Sequence, residues 1–420
     1  MSEGQGGAVR RVTGRAESAP LSVLMTYNFF EPGFRAGGPI RSIARLVDSC
    51  SEQVSVTLVT GDRDLGEPAP YPGLSGAWLD RGQARVFYLD PRRPRHWWTL
   101  WRTVRARRFD LLYVNSLWST YSLVPILAAR LGLLRVPRVM IAPRGEFSPA
   151  ALALGARRKR IFLRWWIHVL RSGHVEWHAG SQLEADAIRR VLPWADVTVR
   201  ANQAGLPAEP IPPDASGSEA RLVFVGRISP MKNVDLLLTA LALTSTPIRL
   251  DLFGPAEDPV YWSRCQQLIE ALPPTVRCTY HGPLAPDLVR ETFAGYDAFA
   301  MPTRGENFGH VIAESLSASC PVVCSDRTPW SDVLHDGGGV VLRDLTAPAL
   351  AAELERIARL SPEQRLRARR TAGAAYRRWA AARDDSNILD QVRVRLQGAG
   401  DPLRPSRKPA RAHAPAAPRD

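Results

Sequence analysis

Two doubly wound α/β domains, each Rossmann-like and facing the other across a cleft, are what this sequence predicts. Three observations carry the expectation. Short apolar runs alternate with helical stretches along most of the chain, the pattern of buried parallel strands joined by crossover helices. A stretch rich in Pro, Ala, Gly and Ser, "NQAGLPAEPIPPDASGSEA" at 202–220, divides that alternation into two series. At 420 residues the chain is also too long for one ordinary core.

The first series opens with the apolar run "LSVLMTY" at 21–27, then a loop containing Gly37 and Gly38 and a helix from about Pro39. Further strands are expected at 54–60, 85–89, 110–114, 138–142, 175–179 and 196–200. Helices are expected near 97–107, 119–132, 149–171 and 182–192. The second series starts at "RLVFVGR", with strands near 221–226, 248–253, 276–281, 297–301 and 321–324, and 346–396 is mainly helical. The expected organisation is a segment without fixed structure at 1–19, domains at 20–204 and 220–375, and a linker at 205–219. A C-terminal helix at 376–396 is expected to turn back toward the first domain, followed by a disordered basic tail at 397–420.

Composition narrows the classes. A hydrophobic content of 45% with 23% charged residues is that of a soluble globular protein. No apolar run is long enough to span a bilayer, and "MSEGQGGAVRRVTGRAESAP" holds no apolar signal core, so a cytoplasmic protein is expected. The five cysteines form no metal or disulfide pattern, and Cys320 and Cys324 read as packing residues in and beside a buried strand. A net charge of +14 comes almost wholly from arginine, since only Lys159, Lys232 and Lys408 are lysines. That excess does not by itself imply nucleic-acid binding. It does single out Lys232.

Two stretches carry the chemistry. "VFVGRISPMKN" at 223–233 is a strand running into a turn and a helix. Arg227 and Lys232 leave its carboxyl end together, and two cations at a cleft mouth suit a diphosphate. "PTRGENFGHVIAESL" at 302–316 likewise follows a strand and precedes a helix starting near Gly309. Glycine there permits close backbone approach where unpaired amides and the helix dipole favour an anion. Glu306 lies in the loop, where it can accept from sugar hydroxyls. Glu314 lies in the helix, where it can bond a ribose diol. Neither stretch contains an Asp-x-Asp motif.

These two stretches resemble the donor-site signatures of the family-four retaining glycosyltransferases, the group 1 glycosyl transferases with the GT-B fold. "APRGEFSPAAL" (142–152), "HAGSQLEADAIRR" (178–190) and "SDRTPW" (325–330) are similar to other segments of that family, so the likeness covers roughly 20–375. The resemblance implies a metal-independent, retaining transfer of a hexose from a nucleotide diphosphate sugar, with no cofactor, to a glycan or lipid-linked acceptor, as in surface polysaccharide synthesis. It implies that 220–375 binds the nucleotide sugar and that 20–204 faces the acceptor. Residue by residue, Gly37 and Gly38 match a glycine loop approaching the donor. Arg227 and Lys232 match the diphosphate-binding cations. Glu306 matches the glutamate facing the sugar, Asn307, Phe308 and Gly309 match backbone contacts, and Glu314 matches the ribose-binding glutamate. Many relatives have a histidine where this chain has Asn115 of "YVNSLWS", and an amide cannot act as a general base near neutral pH. Arg144 and Glu146 are the further candidates for contacts on the acceptor side.

Two other classes compete. A nucleotide-sugar epimerase of the same shape would bring acidic and histidine residues into the cleft from the N-terminal side, which "YVNSLWS" argues against. A non-catalytic basic protein binding membrane or nucleic acid would have no need of the donor constellation, and no specific nucleic acid is expected. The segments "RRPRHWWTLWRTVRARR" (92–108) and "RRKRIFLRWWIHVLR" (157–171) carry seven and six cations with no acid. Trp97, Trp101 and Val104 in the first, and Ile161, Phe162, Trp165 and Val169 in the second, are expected to share a face. Such helices read equally as packed on the sheet with solvated arginines or as lying on an anionic membrane surface, peripheral at the inner face of the plasma membrane.

Overall fold

A computed structural model describes residues 19–153, 156–171, 175–214 and 217–398. The two terminal segments expected to lack fixed structure lie almost wholly outside the described residues. Among the described residues, fourteen strands form two sheets. The first contains β1 (Leu21–Thr26), β2 (Val54–Gly61), β3 (Trp78–Arg81), β4 (Ala84–Leu89), β5 (Leu111–Asn115), β6 (Val139–Ala142), β7 (Val175–Ala179) and β8 (Asp196–Val199), in the order β3-β4-β2-β1-β5-β6-β7-β8. The second contains β9 (Ala220–Val225), β10 (Ile248–Phe253), β11 (Val276–Tyr280), β12 (Ala298–Met301), β13 (Val322–Ser325) and β14 (Gly339–Leu342), in the order β11-β10-β9-β12-β13-β14. Every pairing is parallel except β3 with β4.

The strand order reverses between β1 and β5 in one sheet and between β9 and β12 in the other. Ligands of open α/β sheets bind outside the strands' carboxyl ends at such switch points. The loops after β1, β9 and β12 hold the glycine pair, the two cations and Glu306. Both sheets are buried on two faces, which is why "LSVLMT" and "ARLVFV" are nearly continuous apolar runs.

Several expectations change. The expected helix at 149–171 is two elements, Pro149–Ala153 and Ala156–Arg171. Instead of one helix at 376–396, Pro362–Ala382 packs on the second domain, the chain breaks at "RDDSN", and Ile388–Gly398 follows. Short polar side chains compete for backbone groups at the break, where Asn387 Oδ1 accepts from Leu389 N at 2.9 Å. Ile388, Leu389 and Val392 then join the core of the first sheet. In Ala156–Arg171 the inward residues are Leu163, Trp166 and Leu170, while Ile161 and Trp165 face solvent. In Pro94–Val104 the inward residues are His96, Leu100 and Val104, with Trp98 outside.

The linker is strapped to the second domain. Ile211 N donates to Ser317 O at 2.8 Å, Tyr376 Oη donates to Pro207 O at 2.6 Å, and Arg369 Nη1 donates to Asp214 O at 3.2 Å. Arg365 and Arg369 are both buried, their charge spread over backbone carbonyls.

Candidate active site

A cavity of about 1010 Å³ separates the two domains. Its C-terminal wall is built from the loops after β9 and β12, which are tied together. Arg304 N donates to Met231 O at 2.8 Å, and Arg304 Nη2 donates to Asn233 Oδ1 at 3.0 Å. Asn233 takes a left-handed conformation, φ 62°, to start the helix Val234–Leu241, a conformation asparagine tolerates better than most residues. This turn delivers Lys232 to Glu306, and the two form an ion pair with both side chains 12% exposed. Arg227 lies nearer solvent and reaches Glu257 at 2.9 Å.

The loop that holds Glu306 is clamped at both ends. Glu306 N donates to Arg327 O at 3.0 Å, and Trp330 Nε1 donates to Phe308 O at 2.5 Å. Gly309 then takes φ +78° as the residue capping the helix His310–Ser317, a conformation that suits glycine. The amides of Asn307, Phe308 and Gly309 find no partner among the described residues. They line the cavity at the helix start.

His310 and Glu314 stand one turn apart on that helix and both meet the opposite domain. Glu314 pairs with Arg41, and His310 Nε2 lies 2.6 Å from Ser42 Oγ. Both partners lie on the helix Gly38–Asp48, which Gly37 caps with φ +77°. Burial, with Arg41 and Arg144 nearby, holds His310 down to about 3, so it is neutral at physiological pH.

Of the three acceptor-side candidates the structure brings Arg144 and Glu146 to the cavity and leaves Asn115 behind the wall. Asn115 is fully buried. Its Oδ1 accepts from Arg144 Nη2 at 2.6 Å and its amide donates to Thr26 O at 3.4 Å, so it holds Arg144 in place and is no part of the cavity wall. Arg144 itself lines the cavity but is spent on its own domain, bonding Asn115, Tyr113 and Asn202. Glu146 also lines the cavity, yet its carboxyl turns inward and accepts from Ser116 Oγ at 2.7 Å and Leu117 N at 2.6 Å. Burial pushes it up to about 7 despite those two donors.

Two residues escaped the sequence reading. Arg41 has no mark in the sequence that pairs it with Glu314. Glu184 does have one: "SQLE" is a Ser-x-x-Glu capping pattern, and Ser181 Oγ accepts from Glu184 N at 3.2 Å. Its carboxylate accepts from Gly180 N at 2.7 Å and Gly145 N at 2.6 Å, fixing the loop that carries Arg144. Burial shifts Glu184 upward too. Eight arginine or lysine residues and five acidic ones line the cavity, and two of those acids, Glu146 and Glu184, are shifted toward the neutral form. The cavity is therefore cationic, as a diphosphate requires. Among the described residues no cluster of His, Cys, Asp or Glu could hold a metal ion.

The comparisons with known proteins agree with this geometry. Residues 210–374 match the family "Glycosyl transferases group 1", and residues 37–203 match "Glycosyl transferase 4-like domain". The chain belongs to the group 1 glycosyltransferases of the GT-B fold. A sucrose-phosphate synthase from Thermosynechococcus elongatus aligns with a TM-score of 0.70 at 17% identity, over 90% of this chain and all of that one. HepE of Anabaena, solved with UDP and glucose, aligns at 0.63 and 16%, again over 90% of this chain and all of that one. Among curated relatives, D-inositol 3-phosphate glycosyltransferase of Thermomonospora curvata is 33% identical over 162 residues, 36% of this chain and 37% of that one. O-antigen chain mannosyltransferase B of Escherichia coli is 30% identical over 122 residues, 28% of this chain and 31% of that one. The matched segments thus span about a third of those relatives' lengths.

Proposed function

We propose that this protein is a retaining, metal-independent hexosyltransferase that uses a nucleotide diphosphate sugar and a glycan or lipid-linked acceptor. The observation that carries the reading is the Lys232–Glu306 pair beside the open amides of the helix His310–Ser317, at the floor of a cationic cleft. In the proposed complex the diphosphate takes Lys232 and Arg227, and the helix start faces its other oxygens. Glu306, released from Lys232, accepts from the sugar hydroxyls. Glu314, released from Arg41, accepts from the ribose diol.

The acceptor hydroxyl attacks the anomeric carbon on the face from which the diphosphate leaves. The bond between that carbon and the diphosphate oxygen breaks, and the acceptor proton passes to the departing phosphate. Charge developing on the diphosphate meets cations and amides already in place, so no metal is needed. Asn115 offers no base, which favours the phosphate in that role.

Surface-polysaccharide synthesis at the inner face of the plasma membrane is the proposed setting. It is supported by the partial likeness to an O-antigen chain mannosyltransferase and by the basic segments of the acceptor-side domain. The test is thermal stabilisation by UDP, GDP, ADP and TDP, with Lys232→Ala and Glu314→Ala as controls. Selective stabilisation by one nucleotide, lost in both variants, supports the reading. Failure of all four at millimolar concentration overturns it.

A further inference from the structure

Residues 91–171 hold seventeen lysines and arginines against two acids, Asp110 and Glu146. That surplus exceeds the +14 of the whole chain, so the remainder is close to neutral. Only one of the two acids, Asp110, is exposed, accepting from Ser22 N at 2.8 Å, while Glu146 is turned into the domain. This one segment thus carries a surplus as large as the net positive charge of the chain, while elsewhere cations and acids nearly balance.

The helices of that segment, Pro94–Val104, Thr120–Arg130 and Ala156–Arg171, cover the same face of the first sheet and share one core. Trp118 packs against Phe162 with tilted rings 5.3 Å apart, and Arg130 Nη2 donates to Leu170 O at 3.5 Å, which joins the second helix to the third. The outward side is unusually apolar for so basic a surface. Trp165 is 79% exposed, Leu131 71%, Trp98 59%, Ile161 57% and Leu133 53%. Exposed arginines lie among them: Arg102 stacks over Trp98 at 4.5 Å, and Arg157, Arg164 and Arg171 share the outer side of the third helix with Ile161 and Trp165.

We propose that this outer surface docks onto the anionic headgroups of a membrane. The proposal names the face behind the membrane attachment given above and rests on that reading. Arginines meet the lipid phosphates while tryptophan, leucine and isoleucine enter the boundary of the acyl region. Nucleic acid is the poorer occupant, because exposed leucine and isoleucine gain little against phosphates or base edges. Among the described residues no helix is long and apolar enough to cross a bilayer, so attachment here is by the surface. The face is also well placed for a lipid-linked acceptor. Lys159 of the third helix bonds Ala151 O, and Ala151 lines the cleft.

The experiment is flotation of the full chain with vesicles of phosphatidylcholine alone and of phosphatidylcholine with phosphatidylglycerol, run beside the double variant Ile161→Ser/Trp165→Ser. Nucleotide stabilisation and melting of both proteins report separately on the donor cleft and on folding. The expected result is binding only to the anionic vesicles, weakened about tenfold or more in the variant, with melting unchanged. Absence of binding to anionic vesicles overturns both the face and the membrane attachment, and leaves the donor reading to its own test. Equal binding by parent and variant overturns the face alone. Tighter binding to a duplex or single-stranded oligonucleotide than to anionic vesicles, lost in the same variant, overturns the choice of occupant.

Discussion

Arg41 of the first domain reaches across the cleft and pairs with Glu314 of the second, while the next residue, Ser42, meets His310 one turn earlier on the same helix. The proposed ribose ligand is thus already satisfied before a nucleotide arrives. A double-mutant cycle of Arg41→Met and Glu314→Gln should give a coupling of about 1 kcal/mol in the free protein. It should fall toward zero when melts are repeated with saturating nucleotide. An unchanged coupling would mean that Glu314 keeps Arg41 and does not bind ribose.

Lys232 should be irreplaceable in a way the other cations are not. Lys232→Ala should weaken nucleotide binding at least tenfold, about 1.4 kcal/mol, by calorimetry. Lys232→Arg should recover only part of that, because a planar fork does not fit the compact site that pairs with Glu306. Full recovery would show that only charge matters there.

A buried carboxyl and two buried imidazoles titrate in opposite senses. The Glu146 carboxyl, raised to about 7 by burial, prefers its proton in the folded state. Its contribution to stability is largest below about pH 4.5 and falls as pH climbs toward 7, by on the order of 3 kcal/mol over the window. Burial holds His178 and His310 down to about 3, so they favour the neutral form. Their contribution is complete above about pH 6.5 and is lost as pH falls toward 3. Between pH 7.5 and 5, Glu146→Gln should therefore lose more melting temperature on acidification than the parent, and His310→Gln should lose less. The reverse order would contradict both assignments.

The loop before the helix His310–Ser317 depends on one indole. Trp330→Phe leaves the buried Phe308 carbonyl without its donor and should cost about 1–3 kcal/mol in chemical denaturation. Gly309→Ala should cost a similar amount, because φ +78° strains alanine and its Cβ would lie 3.1 Å from Ile312 Cδ1. Both variants should lose nucleotide affinity along with stability. Loss of stability alone would separate the loop from the donor.

Buried parallel strands were the most legible elements, since covering on both faces leaves a run of apolar residues that needs no partner to be recognised. All twelve expected strands lie within one residue of those observed. The two that escaped show why: β3, "WLDR", is a partly exposed edge strand, and β14, "GVVL", is a short run after glycines. Helix phase was less legible. In "RIFLRWWIHVL" nearly every side is apolar, so the inward set Leu163, Trp166 and Leu170 is chosen by the sheet beneath it. At the site, Arg227, Lys232, Glu306 and Glu314 all line the cavity, because each leaves a strand end or the helix that follows one. Asn115 does not, and Arg41 could not be paired with Glu314, because a partner in another domain leaves no periodic trace.

The strapping of residues 207–214, 217 and 218 onto the second domain has a mechanical consequence. A connector bound along its length to one body moves with it, so relative motion of the two bodies concentrates at the two places where the chain crosses between them. Those crossings, near 200–206 and 383–387, run beside each other and are stitched by Arg200 Nε donating to Ser386 O at 3.0 Å and by the Arg200–Asp384 pair. Any relative motion that draws these two crossings apart has to break that stitch.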